Sequence, residues 1–253
     1  SDASYTVTVT ASGVSVTSAP ATIAVSSPLL TTFSVRHSRN DASSASLLNL
    51  LWGVAAGNGT MVAVGDRGLI LTSADDGRTW VNRDSGTTGW LVSVTYGNGQ
   101  FVIVGEGGVI LTSTNGIAWT PVTGTATKER LNNILFADGK YVAVGEKGTV
   151  VTSVDGRAWT LRTTPVSTWL HGLTYNADIG HFAATGDAGV FLYSADAVTW
   201  NRLPIPGYTG ELHHIVAVDS YSHFVTVGTQ GKVISVRQNQ LSLKDGTTLT
   251  TWS

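Results

Sequence analysis

The 253-residue sequence has no cysteine, which excludes disulfides, cysteine-ligated zinc and thiol catalysis. Charged side chains make up only 13% of it and leave a formal net charge of −2, so the basic patch typical of nucleic-acid-binding proteins is missing. Lysine and arginine occur singly, and no apolar run approaches the ~18 residues that a membrane-spanning helix needs. We therefore expect no nucleic-acid partner and no insertion into a membrane.

Proline is also scarce, at 6 residues, whereas glycine is abundant at 29. No stretch shows the three-to-four-residue spacing of apolar side chains that marks an amphipathic helix. Short alternating apolar runs separated by glycine-containing turns are frequent instead. These features predict an all-β chain.

A repeat of about 40 residues runs through most of the sequence. Four segments align over their whole length, 50–80, 90–119, 130–159 and 169–200, and a fifth, 211–236, matches over its first part. Two residue types mark the repeat at nearly constant spacing, namely the glycines Gly65, Gly105, Gly145, Gly186 and Gly228 and the closing tryptophans Trp80, Trp119, Trp159 and Trp200. This regularity indicates duplication of one structural unit.

Each unit has the pattern of four short antiparallel strands. In the first unit a hairpin signal "GNG" precedes the strand "MVAVG", and the turn "GDRG" leads to "LILTS" and then to the tryptophan. Four strands in about 40 residues are typical of a β-propeller blade. We predict a five-bladed β-propeller over 29–253, with six blades as the alternative. The predicted blades are 48–84, 88–123, 128–164, 168–204 and 210–237.

The ends of the chain raise two further expectations. The fifth repeat lacks the tryptophan ending, and either "LTTFSVRH" (30–37) or "LTTWS" (249–253) is expected to complete the ring. Residues 1–28 lie outside the repeat and read as two alternating strands around a Ser-Gly turn. With Asp2 and Tyr5 spaced as in an immunoglobulin-type corner, they resemble the last strands of a bacterial immunoglobulin-like domain. This hairpin remnant is also a candidate for assembly contacts.

The segment "SADDGRTW" (73–80) resembles the Asp-box, or bacterial neuraminidase, repeat found in propellers of sialidases, xyloglucanases, photosystem II assembly factors and bacterial surface proteins. The other copies, such as "SVDGRAW", are one residue shorter. The resemblance implies that the acid caps a turn and that the tryptophan packs between blades. The residues given this structural role are Asp75, Gly77, Trp80, Trp119, Asp155, Trp159, Asp196 and Trp200.

The turn between the second and third strands carries an acid in four of the five units. These acids are Asp66, Glu106, Glu146 and Asp187, and Thr229 takes the fifth place. In a propeller these turns surround one end of the central channel, where the acids would bind a cation, an amine or sugar hydroxyls. The alternative is a set of solvated turn acids that recur because the blades were duplicated.

The links between blades bring varied residues to the same end of the channel. They are Trp52, Trp90, Arg130, Trp169, His171, Glu211, His213 and His214. Aromatic rings beside carboxylates suit carbohydrate binding by stacking, and they suit protein recognition equally well. The alternative for Trp90 and Trp169 is that each ring covers the gap between adjacent blades.

No catalytic or metal-binding pattern accompanies these candidates. The histidines lack the spacing of a zinc site, and the adjacent His213 and His214 would point to opposite faces of a strand. By the resemblance, a sialidase would need three arginines and a tyrosine–glutamate pair, whereas this end of the channel offers Arg67 and Arg130. We therefore expect no metal and no cofactor.

The sequence thus predicts a non-catalytic binding or scaffolding module of a multidomain bacterial surface or secreted protein, with a periplasmic location as a variant. Its ligand would be carbohydrate or another protein, bound by Asp66, Glu106, Glu146, Asp187, Trp90, Trp169, Arg130, His171 and His213. The alternatives are a structural subunit of a larger extracellular assembly and, least favoured, a glycoside hydrolase.

Overall fold

The computed structural model describes residues 50–218 and 223–237 in full, together with the backbone of short strands near both ends of the chain. The chain divides into two compact units between Val35 and Arg36. The first unit contains β1 (Ala3–Tyr5), β2 (Thr8–Ala11), β3 (Val14–Thr17) and β4 (Ala21–Ile23). Strand β1 pairs with β4 and β2 pairs with β3, both antiparallel. The immunoglobulin-like identity of 1–28 stays a prediction.

The second unit contains five antiparallel sheets, which we call blades 1 to 5 in chain order. Blade 1 comprises β5 (Leu51–Gly57), β6 (Thr60–Gly65), β7 (Ile70–Ser73) and β8 (Val81–Arg83); blade 2 comprises β9 (Leu91–Gly97), β10 (Gln100–Gly105), β11 (Ile110–Ser113) and β12 (Thr120–Pro121). Blade 3 comprises β13 (Leu131–Ala137), β14 (Lys140–Gly145), β15 (Val150–Ser153) and β16 (Thr160–Arg162); blade 4 comprises β17 (Leu170–Asn176), β18 (His181–Gly186), β19 (Phe191–Ser194) and β20 (Asn201–Leu203). The predicted all-β architecture of four-stranded repeats is confirmed.

Blade 5 has a different ending from the others. It comprises β21 (Leu212–Val218), β22 (His223–Gly228), β23 (Val233–Arg237), β24 (Gln240–Leu243) and β25 (Thr248–Thr250). The fourth position is thus held by β24, which the repeat comparison did not predict because its sequence carries neither the Asp-box residues nor the tryptophan. Strand β25 overlaps the predicted 249–253 segment as a fifth strand, and 30–37 lies outside the described residues.

The hairpins between the first two strands of blades 1 to 3 form as their sequences predict. In blade 2, Gly97 pairs with Gln100, so only Asn98 and Gly99 form the turn. Their φ angles are +46° and +77°, as a type I′ turn requires at both central positions. Asparagine and glycine are the residues that adopt this left-handed conformation at least cost.

The core lies between blades rather than within any one of them. We call the face of a blade that packs against the preceding blade its leading face, and the opposite one its trailing face. At the first interface, the trailing face of blade 1 contributes Val62, Val64 and Ile70, and the leading face of blade 2 contributes Leu91, Val94, Phe101, Ile103 and Leu111. The same positions meet at the next three interfaces. A blade with a neighbour on each side is therefore covered on both faces. In blade 2, all six residues of β10 are buried for this reason.

The Asp-box turn joins the third and fourth strands of blade 1 through side-chain hydrogen bonds. The Asp75 carboxylate accepts bonds from the backbone N–H of Thr79 (2.8 Å) and from its hydroxyl (2.7 Å). The indole N–H of Trp80 donates to the Gly77 carbonyl oxygen (3.1 Å), and Gly77 has a φ of +79°. These contacts are those of a turn cap, which favours a structural role for Asp75.

The later blades repeat this turn with small changes. The carboxylates of Asp155 and Asp196 accept backbone N–H groups two and three residues further on, and in blade 2 the amide oxygen of Asn115 does the same. The indole N–H groups of Trp119, Trp159 and Trp200 each donate to a turn carbonyl at 3.0–3.1 Å. Since the uncharged Asn115 also accepts two backbone N–H groups, the turn forms around an acceptor oxygen whether or not that oxygen carries a charge.

Asp75 gives the first testable prediction. Hydrogen bonds from Thr79 N–H, then from the hydroxyls of Thr79 and Ser73, lower its pKa to about 2. Because this lies below the unfolded-state value of about 3.9, the stabilisation from ionised Asp75 is complete above about pH 4 and is lost as pH falls through about 2. We expect the difference in melting temperature between the wild type and Asp75→Asn to shrink between pH 5 and pH 2. Thermal unfolding across this range measures it, and an unchanged difference would contradict the assignment.

Candidate binding face

The turns between the second and third strands lie beside the links between blades. Four of these contacts have the same form, in which the backbone N–H of the turn residue donates to the carbonyl oxygen of the residue before the inner strand. The pairs are Glu106 with Trp90 (2.9 Å), Glu146 with Arg130 (2.9 Å), Asp187 with Trp169 (3.0 Å) and Thr229 with Glu211 (2.9 Å). Asp66 and Leu50 repeat the arrangement in blade 1 (3.0 Å). The two groups of candidate residues therefore do share one end of the blades.

The recurring glycine before each turn acid is explained by this contact. In blade 2, a Cβ atom on Gly105 would overlap the carbonyl oxygen of Trp90. The same overlap would occur at Gly65, Gly145, Gly186 and Gly228 with the equivalent carbonyl oxygens. The backbone of Gly105 is extended, with a φ of −174°, so the requirement is for space rather than for a left-handed conformation. Glycine recurs because the link passes directly over it.

Six side chains from the links and inner strands form a continuous row across the five blades, which we call the aromatic arc: Trp52, Trp90, Arg130, Trp169, His171 and His213. The rings of Trp52 and Trp90 are stacked, with centroids 6.2 Å apart. The Arg130 guanidinium carbon lies 5.3 Å from the centre of the Trp90 ring and 6.0 Å from that of Trp169. His171 continues the row, 6.2 Å from Trp169 and 5.8 Å from His213.

The arc tryptophans remain accessible although they touch one another. Trp52, Trp90 and Trp169 are 47%, 41% and 42% exposed, in contrast to 6% for the Asp-box residue Trp200. Covering the gap between blades would bury a tryptophan much more completely. Exposed rows of large rings are typical of interaction sites, so the arc is a candidate binding surface.

Three of the four turn acids, Asp66, Glu106 and Asp187, form hydrogen bonds with residues of the arc or of the link beside it. Asp66 accepts the indole N–H of Trp52 (2.7 Å) through one carboxylate oxygen and the backbone N–H of Leu50 (3.2 Å) through the other. Asp187 lies 2.7 Å from the Nε2 of His171. The carboxylates are thus engaged with the row that they were predicted to accompany. Their role in binding a ligand stays a prediction.

Glu106 and Glu146 complete the set of turn acids. Glu106 accepts the backbone N–H of Trp90 (3.0 Å). Beside Glu146, Lys147 forms an ion pair with Glu129 (2.8 Å), and the hydrogen bond to Glu129 is the main cause of a raised pKa of Lys147. Glu146 lies beside the arc through the hydrogen bond from its backbone N–H to the Arg130 carbonyl oxygen, and no contact between its carboxylate and an arc side chain is seen among the described residues.

Two asparagines of blade 3 brace the arc across the blade boundary. The amide N–H groups of Asn132 and Asn133 donate to the carbonyl oxygens of Leu170 (2.9 Å) and His171 (3.1 Å). In blade 5, Nε2 of His213 lies 3.6 Å from the Glu211 carboxylate. Neither asparagine was a candidate from the sequence. The sequence marks them only as two adjacent asparagines near the start of the inner strand of blade 3.

Arg130 is the cation at the middle of the arc. Its guanidinium lies between two indole rings, and among the described residues it has no carboxylate within ion-pair distance. The flanking rings hold the planar group in place while leaving its charge without an internal counterion. The site therefore combines exposed aromatic surface with one positive charge.

No protein-family model matches the chain, and no curated protein sequence does. Among solved structures, YCF48 from Cyanidioschyzon merolae is similar with a TM-score of 0.62 at 14% identity, covering 78% of this chain and 71% of that one. A structure of YCF48 bound to D1 peptide has a TM-score of 0.61 at 16% identity, covering 80% and 67%. Virginiamycin B lyase from Staphylococcus aureus has a TM-score of 0.59 at 13% identity, covering 80% and 71%.

These likenesses establish the fold as a β-propeller. They carry the fold alone, since a propeller described in complex with a peptide and one named as a lyase share it. In the part of the chain that the structure describes, no helix is long and apolar enough to cross a membrane. Within the same residues, no three metal-ligating side chains cluster.

Proposed function

We propose that this propeller is a non-catalytic module that binds a segment of another protein along the aromatic arc. The observation that supports this most strongly is the unbroken row from Trp52 to His213, whose tryptophans are exposed and whose members form hydrogen bonds with neighbouring acids and asparagines. Tryptophan and arginine are the residue types that dominate binding energy at protein interfaces. A row that crosses five blades matches an extended peptide better than a compact ligand.

The expected partner has both apolar and acidic character. Trp52, Trp90 and Trp169 offer flat surfaces to apolar side chains, and Arg130 between them attracts a carboxylate. That YCF48 is described in complex with a peptide supports this choice. As part of the same proposal, we place the chain in an exported or surface-displayed bacterial protein, because of its resemblance to Asp-box propellers.

Carbohydrate is the second candidate, because exposed indole rings lie beside carboxylates at this face. Indole rings stack on the apolar faces of sugars, and carboxylates accept hydroxyl hydrogens. Against it, the oxygens of Asp66 are already engaged by Trp52 and Leu50. The protein partner is therefore preferred.

Selection from a displayed library of random peptides, run in parallel with a glycan array, tests the proposal. We expect selected peptides to be rich in aromatic and acidic residues, and we expect their binding to be lost in Arg130→Glu, since the variant places a negative charge at the centre of the arc. Val154→Glu, at an exposed position in an Asp-box turn, is the control that should bind normally. Glycan binding that is lost in Trp90→Ala, with no peptide selected, would replace the protein partner by a carbohydrate.

A further inference from the structure

The leading face of blade 1 is open where the other leading faces are closed. Leu51 and Val54 are 51% and 68% exposed, whereas their counterparts in blade 2, Leu91 and Val94, are 0% and 6% exposed. The corresponding residues of blades 3 to 5 are equally buried. Farther out on the face of blade 1, Ala63 and Leu71 are buried, so the open part lies along β5.

The trailing face of blade 5 is open in the same way. Val227 is 41% exposed, whereas its counterpart in blade 1, Val64, is fully buried. Val216, on the inner strand of blade 5, is 56% exposed. The open area of blade 5 therefore includes its two innermost strands, β21 and β22, and it lies at the opposite end of the row of blades from β5.

The two open faces do not cover one another within the chain. The inner strands of consecutive blades lie side by side along the whole row, from β5 next to β9 through to β17 next to β21. Between the described strands β5 and β21 there is no comparable packing. Within the described residues, the two ends of the row are therefore not packed against each other.

These two faces are the complementary halves of one interface that the chain builds four times. The first three internal interfaces join a trailing face of valine and isoleucine to a leading face of aliphatic and aromatic residues, and the fourth has Ala183 and Phe191 on its trailing face. We propose that the leading face of blade 1 binds the trailing face of blade 5 of a second copy, so that copies associate head to tail. Such a heterologous contact produces rings or open chains of copies, according to whether the rotation closes.

The proposed association between copies uses the same type of contact as the interfaces between blades. Leu51 and Val54 of one copy would take the places that Leu91 and Val94 take in blade 2, against Val216 and Val227 of the other copy. Exposed apolar surface of this kind is removed from water on association, which supplies the driving force. The aromatic arc is not required, so this inference stands apart from the proposed function.

Sedimentation of the full chain and two aspartate variants over a concentration series tests the proposal. The wild type should associate reversibly. Val54→Asp and Val227→Asp should each associate about 100-fold more weakly or not at all, since each places an unpaired charge in the contact. An equimolar mixture of the two variants should form heterodimers, because one copy keeps its trailing face and the other its leading face. Val154→Asp, an equally exposed valine in an Asp-box turn, is the control that should behave as the wild type.

The outcomes separate cleanly. A wild type that is monomeric throughout would overturn the proposal. Weak association of both variants without recovery in the mixture would overturn the head-to-tail arrangement. An equal effect of Val154→Asp would do the same. Recovery in the mixture also shows that both variants are folded, and circular dichroism of each checks this directly.

Discussion

Replacing Trp90 by alanine should weaken the binding of a selected peptide by about 30-fold or more, which corresponds to the 2 kcal/mol or more of an interface hot spot. Trp90 stands between Trp52 and Arg130, so its loss removes the stacked partner of one and a cation–π contact of the other. The double variant Trp90→Ala/Trp169→Ala leaves Arg130 without either ring, and its binding should fall below detection.

Titration calorimetry or fluorescence anisotropy with the selected peptide measures these losses. Because Trp90 is 41% exposed and its contact with Glu106 uses the backbone, the free energy of unfolding should change by less than about 1 kcal/mol. Val154→Ala is the matched control, an exposed apolar truncation outside the arc. If the double variant still binds the peptide, the arc is not the peptide-binding surface.

Gly105→Ala should be among the most damaging small substitutions in the scaffold. The added methyl group would overlap the Trp90 carbonyl oxygen and break the hydrogen bond from Glu106 N–H to that oxygen. We expect a loss of about 2–3 kcal/mol in the free energy of unfolding, at the upper end of the cost of overpacking. Because the link carrying Trp90 must move, peptide binding should weaken as well.

Gly89→Ala is the matched control for this prediction. Gly89 precedes Trp90, and an added Cβ would have ordinary van der Waals contacts, the nearest at 3.5 Å from Glu106. Its conformation suits alanine, so the variant should lose no stability and gain up to about 1 kcal/mol. Urea unfolding of both variants makes the comparison. Equal stabilities would contradict the spatial explanation of the recurring glycine.

The separation of scaffold from site has a simple physical basis. The glycine of Gly105 recurs in all five blades and the turn of Asp75 in four, because their roles depend on backbone geometry that those blades share. The residue before each inner strand contributes only its carbonyl oxygen to the turn, so its side chain is free to differ. Leucine, tryptophan, arginine, tryptophan and glutamate occupy this position in blades 1 to 5. The side chain at this position can therefore vary without loss of the turn contact.

Much of this was predictable from the sequence because the repeat fixes strand order and turn type. The Asn98–Gly99 turn and the strands of blades 1 to 4 follow from local chemistry and alternation. Strand β24 was missed because it is held by pairing with β23 and carries no residue of the motif. A strand defined by its neighbour leaves no mark of its own in the sequence.

The candidate face was predictable in position but not in detail. Repeat alignment brings Trp90 and Trp169 to one end of the blades, yet it does not show that Arg130 lies between their rings, because that depends on the spacing between blades. Nor does it show that Asp66 and Asp187 point at Trp52 and His171. Both carboxylates contact side chains of the arc, and the ligand-binding role predicted for them stays a prediction.

Fluorine NMR of the protein labelled with 5-fluorotryptophan tests most directly the claim that binding uses the arc and not the Asp-box turns. Its 8 tryptophans include arc and Asp-box residues, and single Trp→Phe variants assign the signals. On titration with a selected peptide, the signals of Trp90 and Trp169 should shift or broaden while those of Trp119 and Trp159 stay in place. Shifts confined to the Asp-box tryptophans would place binding at the Asp-box turns and contradict the account.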